Sequence, residues 1–540
     1  MTRALLLKEI DILKYKLKDK DSVIRDKDYI ISDKECIIRE LKDKIAILEL
    51  LHFGPKSEKW TEQDELQARL FNEAEDEAFL QSDEEKQQAV IETQELGAYK
   101  RRKHNRNQGR KPISKDLPRE EVVYDLSEQE KQCACGSEKT CIGAEITERV
   151  KIKPAEVTVL EEKKLKYACQ NCEGIEADEP GVVTAKGIKH LIAGSLADES
   201  LLAWIATEKF EYALPFYRQA KRLSHIGIPL PRATLSNLMI RAAEESRALY
   251  NCLKDYIRCG PLINADETRI QVLKEPGRKA KDQSWMWIFR GGMIGKPGVI
   301  FQYDEKRSSK IPYEFLKDYE GWLQTDDYGA YHTALKNLNT SRKNKKRLRH
   351  ILCWAHARSK FYKAWEVTKS EHAKTALEYI RELFAFENLR KDFSLQGFHK
   401  QRKSRADLIF NEFKPWLLEL YASTPPKSIL GKALAYTLDN WQQLILYVED
   451  PFLTPSNNLA ENAIRPFVIG RKNWLFAGTP KGAQSSAILY SLIESAKLSK
   501  LNPYDYLYYI FKKLPYAEIK QDYIDLLPFN LTSEQIKPEI

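Results

Sequence analysis

Between residues 19 and 39 the chain repeats itself in steps of seven, as DKDSVIR, DKDYIIS and DKECIIR. Extended both ways, the repeat sets Ile10, Leu17, Ile24, Ile31, Ile38 and Ile45 at one heptad position and Leu6, Leu13, Leu41 and Leu48 at its partner. Ile at the first position with Leu at the second predicts a parallel two-stranded coiled coil. Lys20, Lys27 and Lys34 occupy the middle partner positions, which weakens the seam there or turns it toward Val23, Ile30 and Ile37. Gly54 and Pro55 stop the helix.

Helical spacing returns near residue 196, in LADESLLAWIATEKF, LPFYRQAKRLSHIG and PRATLSNLMIRAAEESRALYNCLKDYI, with breaks at Pro215, Gly227 and Pro229. Arg232, Thr234, Ser236 and Asn237 open a candidate recognition helix of a helix-turn-helix, and a helical bundle that binds nothing is the alternative. From residue 261 the pattern changes. LINADETRIQVL, SWMWIFRGG, PGVIFQYD, GWLQTDDYGAY and HILCWAH predict five strands, and residues 354–450 predict helices almost throughout. That order predicts an α/β domain built on a mixed sheet.

At 540 residues the chain is long enough for three or four units with their own cores. Its net charge of +9 is modest but unevenly spread: residues 62–95 hold twelve acids against Arg69 and Lys86. The stretch KRRKHNRNQGRKP at 100–112 holds seven bases and no acid. Such blocks are either solvated or phosphate-binding arms, and Arg101, Arg102, Lys103, Arg110 and Lys111 are the candidates for the second role. The first apolar run is too short for a signal peptide and no later run is long enough to span a bilayer, so the expectation is a cytoplasmic protein with no membrane partner.

Cysteines in a reducing compartment point away from disulfides. Cys133, Cys135, Cys169 and Cys172 form two close pairs separated by strand-rich sequence, the spacing of a structural Zn²⁺ ribbon. The first pair has a single intervening residue, so Cys141 competes with Cys133 for the fourth position.

A carboxylate inside a strand is costly to desolvate unless a cation or metal compensates it. Asp266 lies in the first predicted strand of the α/β region, Asp326 ends the fourth, and Glu461 sits in a short helix that Ser456 or Asn457 would cap and Pro466 would end or kink. If the two strands are neighbours, the three acids form an oxygen cage suited to Mg²⁺ or Mn²⁺, with two ions serving an in-line displacement at phosphorus. By spacing alone, surface or capping roles are the alternative. Lys345, Lys346 and Arg347, with Arg465, Arg471 and Lys472, flank these acids and are candidates to grip a phosphate backbone. Trp474 is a candidate to stack on a frayed base or, alternatively, to pack in the core.

NADETRIQVL, GWLQTDDYGAY, HILCWAHARSKF and the long block NNLAENAIRPFVIGRKNWLFAGTPKGAQSSAILYSLIESAKLSKLNPYDYL resemble the successive blocks of the DDE transposases of the insertion-sequence sixty-six family, the TnpC type. The likeness extends upstream to HFGPKSEKW, GRKP, LPREEV and the paired cysteines. It implies a ribonuclease-H-like core with its acidic triad at Asp266, Asp326 and Glu461, and a zinc-finger-like module on the cysteine pairs. It also implies cutting of the 3′ ends of a mobile element and their joining to target DNA, without a covalent protein intermediate. His356, in a Cys-x-x-His sequence with Cys353, is then a candidate to approach the scissile phosphate.

On this reading the chain is multidomain: a coiled coil (1–52), a charged linker with the basic arm (53–116), a zinc-ribbon-like module (117–188) and a helical DNA-binding region (189–258). The α/β catalytic core follows in two parts (259–353 and 453–515) around a helical insertion (354–452), with a C-terminal tail (516–540). The expected partners are double-stranded DNA, a second copy through the coiled coil, and accessory proteins of the same element, on the nucleoid. Three positions depart from the family pattern: Asp327 where glycine usually stands, Asn462 where arginine does, and Ser456 where aspartate does. A DNA-binding protein with a decayed core and a nuclease that never joins are the rival readings.

Overall fold

A computed structural model of the chain describes residues 157–168, 182–341 and 348–538, and twelve positions between Lys20 and Ile45. The five clustered cysteines, the basic arm with Arg101, Arg102, Lys103, Arg110 and Lys111, and Lys345, Lys346 and Arg347 lie outside the described residues. The chain divides into two compact units, one of residues 1–74 and 188–540 and the other of 75–187. In the second, β1 (Lys166–Ala168) and β2 (Val182–Thr184) form an antiparallel ribbon. All twelve N-terminal positions are helical, and Ile24, Ile31, Ile38 and Ile45, spaced by seven, are each about half exposed.

The larger unit holds a mixed sheet. Its strands are β3 (Leu262–Val272), β4 (Gln283–Met293), β5 (Lys296–Asp304), β6 (Trp322–Thr325) and β7 (Arg349–Leu352), in the order β5-β4-β3-β6-β7. The first three pair antiparallel, and β6 and β7 add in parallel on the far edge of β3. A last short strand, β8 (Phe476–Ala477), pairs in parallel with the end of β3 at Gln271 and Val272. The β4–β5 connection brings Gly292 to φ +102° with its Cα against Tyr256, a conformation and a closeness that a side chain would not tolerate.

Four helices precede the sheet: α1 (Glu199–Phe210), α2 (Phe216–His225), α3 (Arg232–Glu245) and α4 (Arg247–Arg258). The long third segment, expected as one helix, breaks at Ser246, whose hydroxyl donates to the carbonyl of Ala242 and whose backbone leaves helical geometry at ψ 0°. Arg232 and Asn237 are exposed at the start of α3. Between strands run α5 (Lys310–Leu316) and α6 (Gly329–Ser341).

After β7 the chain is helical for about a hundred residues: α7 (Trp354–Thr368), α8 (Glu371–Glu387), α9 (Leu395–Ser423), α10 (Ile429–Asp439) and α11 (Trp441–Ile445). Ser370, Ser394 and Ser428 cap α8, α9 and α10 by accepting a backbone N–H three residues on. This group has its own core around Trp354, Phe410, Phe413 and Trp441, which also buries Trp322, Ile351 and Leu352 of the sheet. Trp354 is fully buried and its indole N–H donates to the carbonyl of Leu444.

The chain then returns to the sheet through α12 (Asn458–Trp474), β8, α13 (Pro480–Leu498) and α14 (Pro503–Lys513). Pro466 does not end the glutamate helix, which continues through it for 17 residues in all. Ile464, Phe467 and Gly470, buried on either side of the proline, hold the helix to its neighbours. Gly470 is required there, because a Cβ would lie 2.6 Å from the Tyr490 hydroxyl on α13. α13 is buried on nearly every side, and its Ser491 and Ser495 hydroxyls accept the backbone N–H groups of Phe301 and Val299. The segment expected as a tail packs as well: Leu526, Leu527 and Ile536 belong to the main core.

Candidate active site

The placement of the acids begins with strand register. β3 and β6 run in parallel with Asn264 opposite Gln324, and side chains two residues apart on a strand share a face. Asp266 and Asp326 therefore follow, side by side, where β6 has ended and β3 continues. The Asn264 amide donates to Gln324 Oε1 at 2.9 Å and to Asn457 Oδ1 at 3.2 Å.

Asn457 brings the third acid. It occupies the N-cap position of α12, as expected, but its side chain does not cap the helix. Instead its Nδ2 donates to the Ala265 carbonyl at 2.8 Å, and its backbone N–H donates to Cys353 Sγ at 3.1 Å. Gln324 Nε2 donates to the Thr454 carbonyl and Trp354 N–H to that of Pro455, so residues 454–457 are fixed to β3, to β6 and to the β7–α7 junction. Glu461, in the first turn of α12, is thereby held over the strand ends, near the positive pole of its own helix.

The three acids are electrostatically coupled. Burial holds the Asp266 carboxyl well above the usual aspartate range, and the negative charges of Glu267, Glu461 and Asp326 push the same way against a hydrogen bond from the Glu267 N–H. Glu461 is likewise raised by burial and by Asp326, with His356 opposing. Such carboxyls either hold a proton or are relieved by a cation. The oxygens of Asp266, Asp326 and Glu461 are of the kind a hard divalent ion takes, and Cys353 and His356 stand beside Glu461.

Glu267, adjacent in sequence, is not in the same position. Its carboxylate pairs with Arg307 and accepts from the Tyr331 hydroxyl at 2.6 Å, while burial raises its pKa. Arg307 lies between the rings of Tyr328, at 3.7 Å, and Trp285, at 4.6 Å. Asp327 is also engaged, one oxygen 2.7 Å from His332 Nε2 and the other accepting from Asn440 at 2.8 Å.

HILCWAH, expected as a strand, is a strand only to Leu352. Cys353 is the N-cap of α7 and His356 stands in its first turn, because Trp354 must turn into the helical core. His356 Nδ1 is 3.9 Å from Glu461 Oε1 and has no hydrogen-bond partner. Burial pushes the Cys353 thiol up to about 12.

The remaining candidates fall as follows. Arg465 and Lys472 are exposed on α12, and Arg471 donates to the Thr268 hydroxyl at 3.0 Å. Trp474 packs edge-on against Phe467 at 5.4 Å, with Lys209 over its ring. Asn264, Gln324 and Arg307 do not figure among the sequence candidates. The signal for the first was present in NADETRI, where an amide precedes the aspartate on the same face of a buried strand.

Comparison with known proteins adds a family. Residues 194–485 match the model described as the transposase IS66 family, and 491–529 match the IS66 C-terminal element. Residues 130–173, which contain Cys133, Cys135, Cys141, Cys169 and Cys172, match the zinc-finger binding domain of transposase IS66. Residues 40–122 match a model described as transposase C of IS166 homeodomain. The uncharacterized protein y4jD of Sinorhizobium fredii is 31% identical over 433 residues, covering 78% of this chain and 82% of its own. The uncharacterized protein y4qI of the same organism is 28% identical over 446 residues, covering 80% and 81%. No solved structure matches the chain.

Proposed function

Since the chain belongs to the IS66 transposase family, we propose that it cuts the 3′ ends of a mobile element and joins them to target DNA at Asp266, Asp326 and Glu461. The observation that carries this is the electrostatic coupling of Asp266 on β3, Asp326 just past the end of β6 and Glu461 in the first turn of α12. A sheet of three antiparallel strands extended by two parallel ones, with the first acid on the central strand, supports a ribonuclease-H-like core. Asp266, Asp326 and Glu461 would hold a pair of Mg²⁺ or Mn²⁺ ions, which would supply positive charge for the scissile phosphate and for an attacking water or 3′ hydroxyl.

The chain's own residues set the geometry. Asn264, Gln324 and Asn457 keep the three acids in register. Arg307 neutralises Glu267, leaving the ion charge for the other three. His356 stands beside Glu461, where an imidazole can reach a phosphate oxygen. Arg465, Arg471 and Lys472 line the same helix and suit phosphate contacts along the duplex. Cys133, Cys135, Cys169 and Cys172 would hold a Zn²⁺ that stabilises the matched zinc-finger domain. The half-exposed Ile24, Ile31, Ile38 and Ile45 support pairing with a second copy. No helix of the described residues is long and apolar enough to cross a membrane.

The test is a Mg²⁺-dependent assay on labelled element-end DNA, with a pre-cleaved 3′ end and target plasmid in a parallel reaction and wild type beside Glu461→Gln. Cut and joined product from wild type alone is expected. Hydrolysis without joined product would make the protein a nuclease, and binding without cutting would make it a protein that only occupies ends.

A further inference from the structure

We infer that Cys353, His356 and Glu461 form a second cation site, for a borderline transition metal of the zinc class, which shares Glu461 with the all-oxygen site. The Sγ, the ring nitrogen and a carboxylate oxygen all lie within 4.8 Å of one another. Ligand atoms on a tetrahedral zinc, with bonds of about 2.0–2.3 Å, stand roughly 3.3–3.8 Å apart, so small adjustments close the set. The His356 Nδ1 to Glu461 Oε1 separation of 3.9 Å is too long for a hydrogen bond and close to such an edge.

The donors are of the wrong chemistry for magnesium. A thiol and an imidazole select zinc, cobalt or copper over hard ions. Their spacing is built by the fold, with Cys353 at the N-cap of α7 and His356 one turn along the same side. Sγ is held in place by the Asn457 N–H, and the backbone N–H groups of His356 and Ala355 also face it, though burial and the Glu461 charge outweigh them in the metal-free protein. His356 Nδ1 is buried and unpartnered, a ring nitrogen that no protein group uses. Cys353 is fully buried and fixed, whereas His356 and Glu461 are half exposed and can move toward it.

Binding would replace the proton on Sγ and release it to solvent. Three protein ligands leave a fourth position for water. The consequence for the neighbouring site follows from the shared residue: Glu461 turned toward zinc is withdrawn from Asp266 and Asp326.

The experiment uses the full chain, dialysed against a chelator and then titrated with Co²⁺ and Zn²⁺, as wild type, Cys353→Ser and His356→Gln. Zinc-finger thiolates are common to all three and cancel. Wild type is expected to hold one metal ion more than either variant, and the wild-type minus Cys353→Ser spectrum should show a thiolate-to-cobalt charge-transfer band that zinc removes. Equal metal counts and a flat difference spectrum would overturn the proposal. If Cys353→Ser fails to fold, His356→Gln decides, because that half-exposed side chain makes no hydrogen bond at Nδ1 to lose. Saturating zinc should also lower Mn²⁺ uptake in wild type, and undiminished uptake would refute the shared glutamate. Absence of any Mn²⁺ uptake would instead count against the proposed all-oxygen site, leaving the zinc count as an independent result.

Discussion

Asn264 and Gln324 face each other across β3 and β6 with their amides 2.9 Å apart, and two residues further along each strand stand Asp266 and Asp326. The amide pair is a spacer that sets the separation of the carboxylates. Asn264→Leu keeps the branched shape but removes the donor to both Gln324 and Asn457. Each buried acceptor left unsatisfied costs about 1–3 kcal/mol. Chemical denaturation should show that loss, and metal-dependent cutting should fall with it; a variant as stable and as active as wild type would refute the spacer role.

Asp266→Asn should abolish cutting while leaving DNA binding almost intact. In metal-free buffer it should also melt higher than wild type, because one of several mutually repelling buried carboxylates has been neutralised. Adding Mn²⁺ should raise the melting temperature of wild type and not of the variant. A variant that still cuts removes this residue from the mechanism.

Asp327→Gly restores the residue usual in the family. Both Asp327 oxygens are already used by His332 and Asn440, so the change should leave Mn²⁺ uptake unaltered and reduce cutting by a few-fold at most. Loss of an ion in a metal count would make Asp327 a ligand.

Arg402 on α9 is 1% exposed, donates to the carbonyls of Asp450 and Leu453 and lies 3.5 Å from Glu387. It ties the approach to α12 to the helical core. Removing one member of a buried ion pair costs about 3–5 kcal/mol, so Arg402→Met should lower stability by that order, and Arg402→Met with Glu387→Met should recover part of it.

Glu494 on α13 is raised to about 7 by burial, in spite of Lys497 at 3.3 Å. Its pKa is higher folded than unfolded, so the native state binds the extra proton between about 4.5 and 7 and stability falls as pH rises through that window. Glu494→Gln should flatten this part of the pH–stability curve. An unchanged slope would mean that another group titrates there.

How far the sequence carried can be traced through single elements. The sheet was legible because LINADETRIQVL and SWMWIFRGG are long, β-branched and aromatic, and each forms a strand over most of its length. HILCWAH forms a strand to Leu352, and the helical stretch expected from residue 354 begins at Trp354, so only the overlap of the two readings past Leu352 needed correcting. Pro466 suggested a helix end, but local preference gave way to packing on both sides of it. The two aspartates and the glutamate stood out as charges in apolar surroundings. What holds them did not, because Asn264 and Asn457 are 193 residues apart and a pairing at that range leaves no periodic trace.

One edge of β3 is shared by two distant segments: β6 covers Leu262 to Asn264 and β8 covers Gln271 and Val272, while Asn457 reaches the Ala265 carbonyl between them. During synthesis, β3 leaves the ribosome well before residues 457–477 exist, and until they arrive the C-terminal end of that edge has no strand to cover it. A polypeptide halted short of α12 therefore carries both aspartates on a half-closed sheet, without the glutamate that would complete them. Under the role proposed for Glu461, cutting competence would be acquired only near the end of translation, and frameshifts or premature stops in the first four-fifths of the reading frame would yield products unable to break DNA.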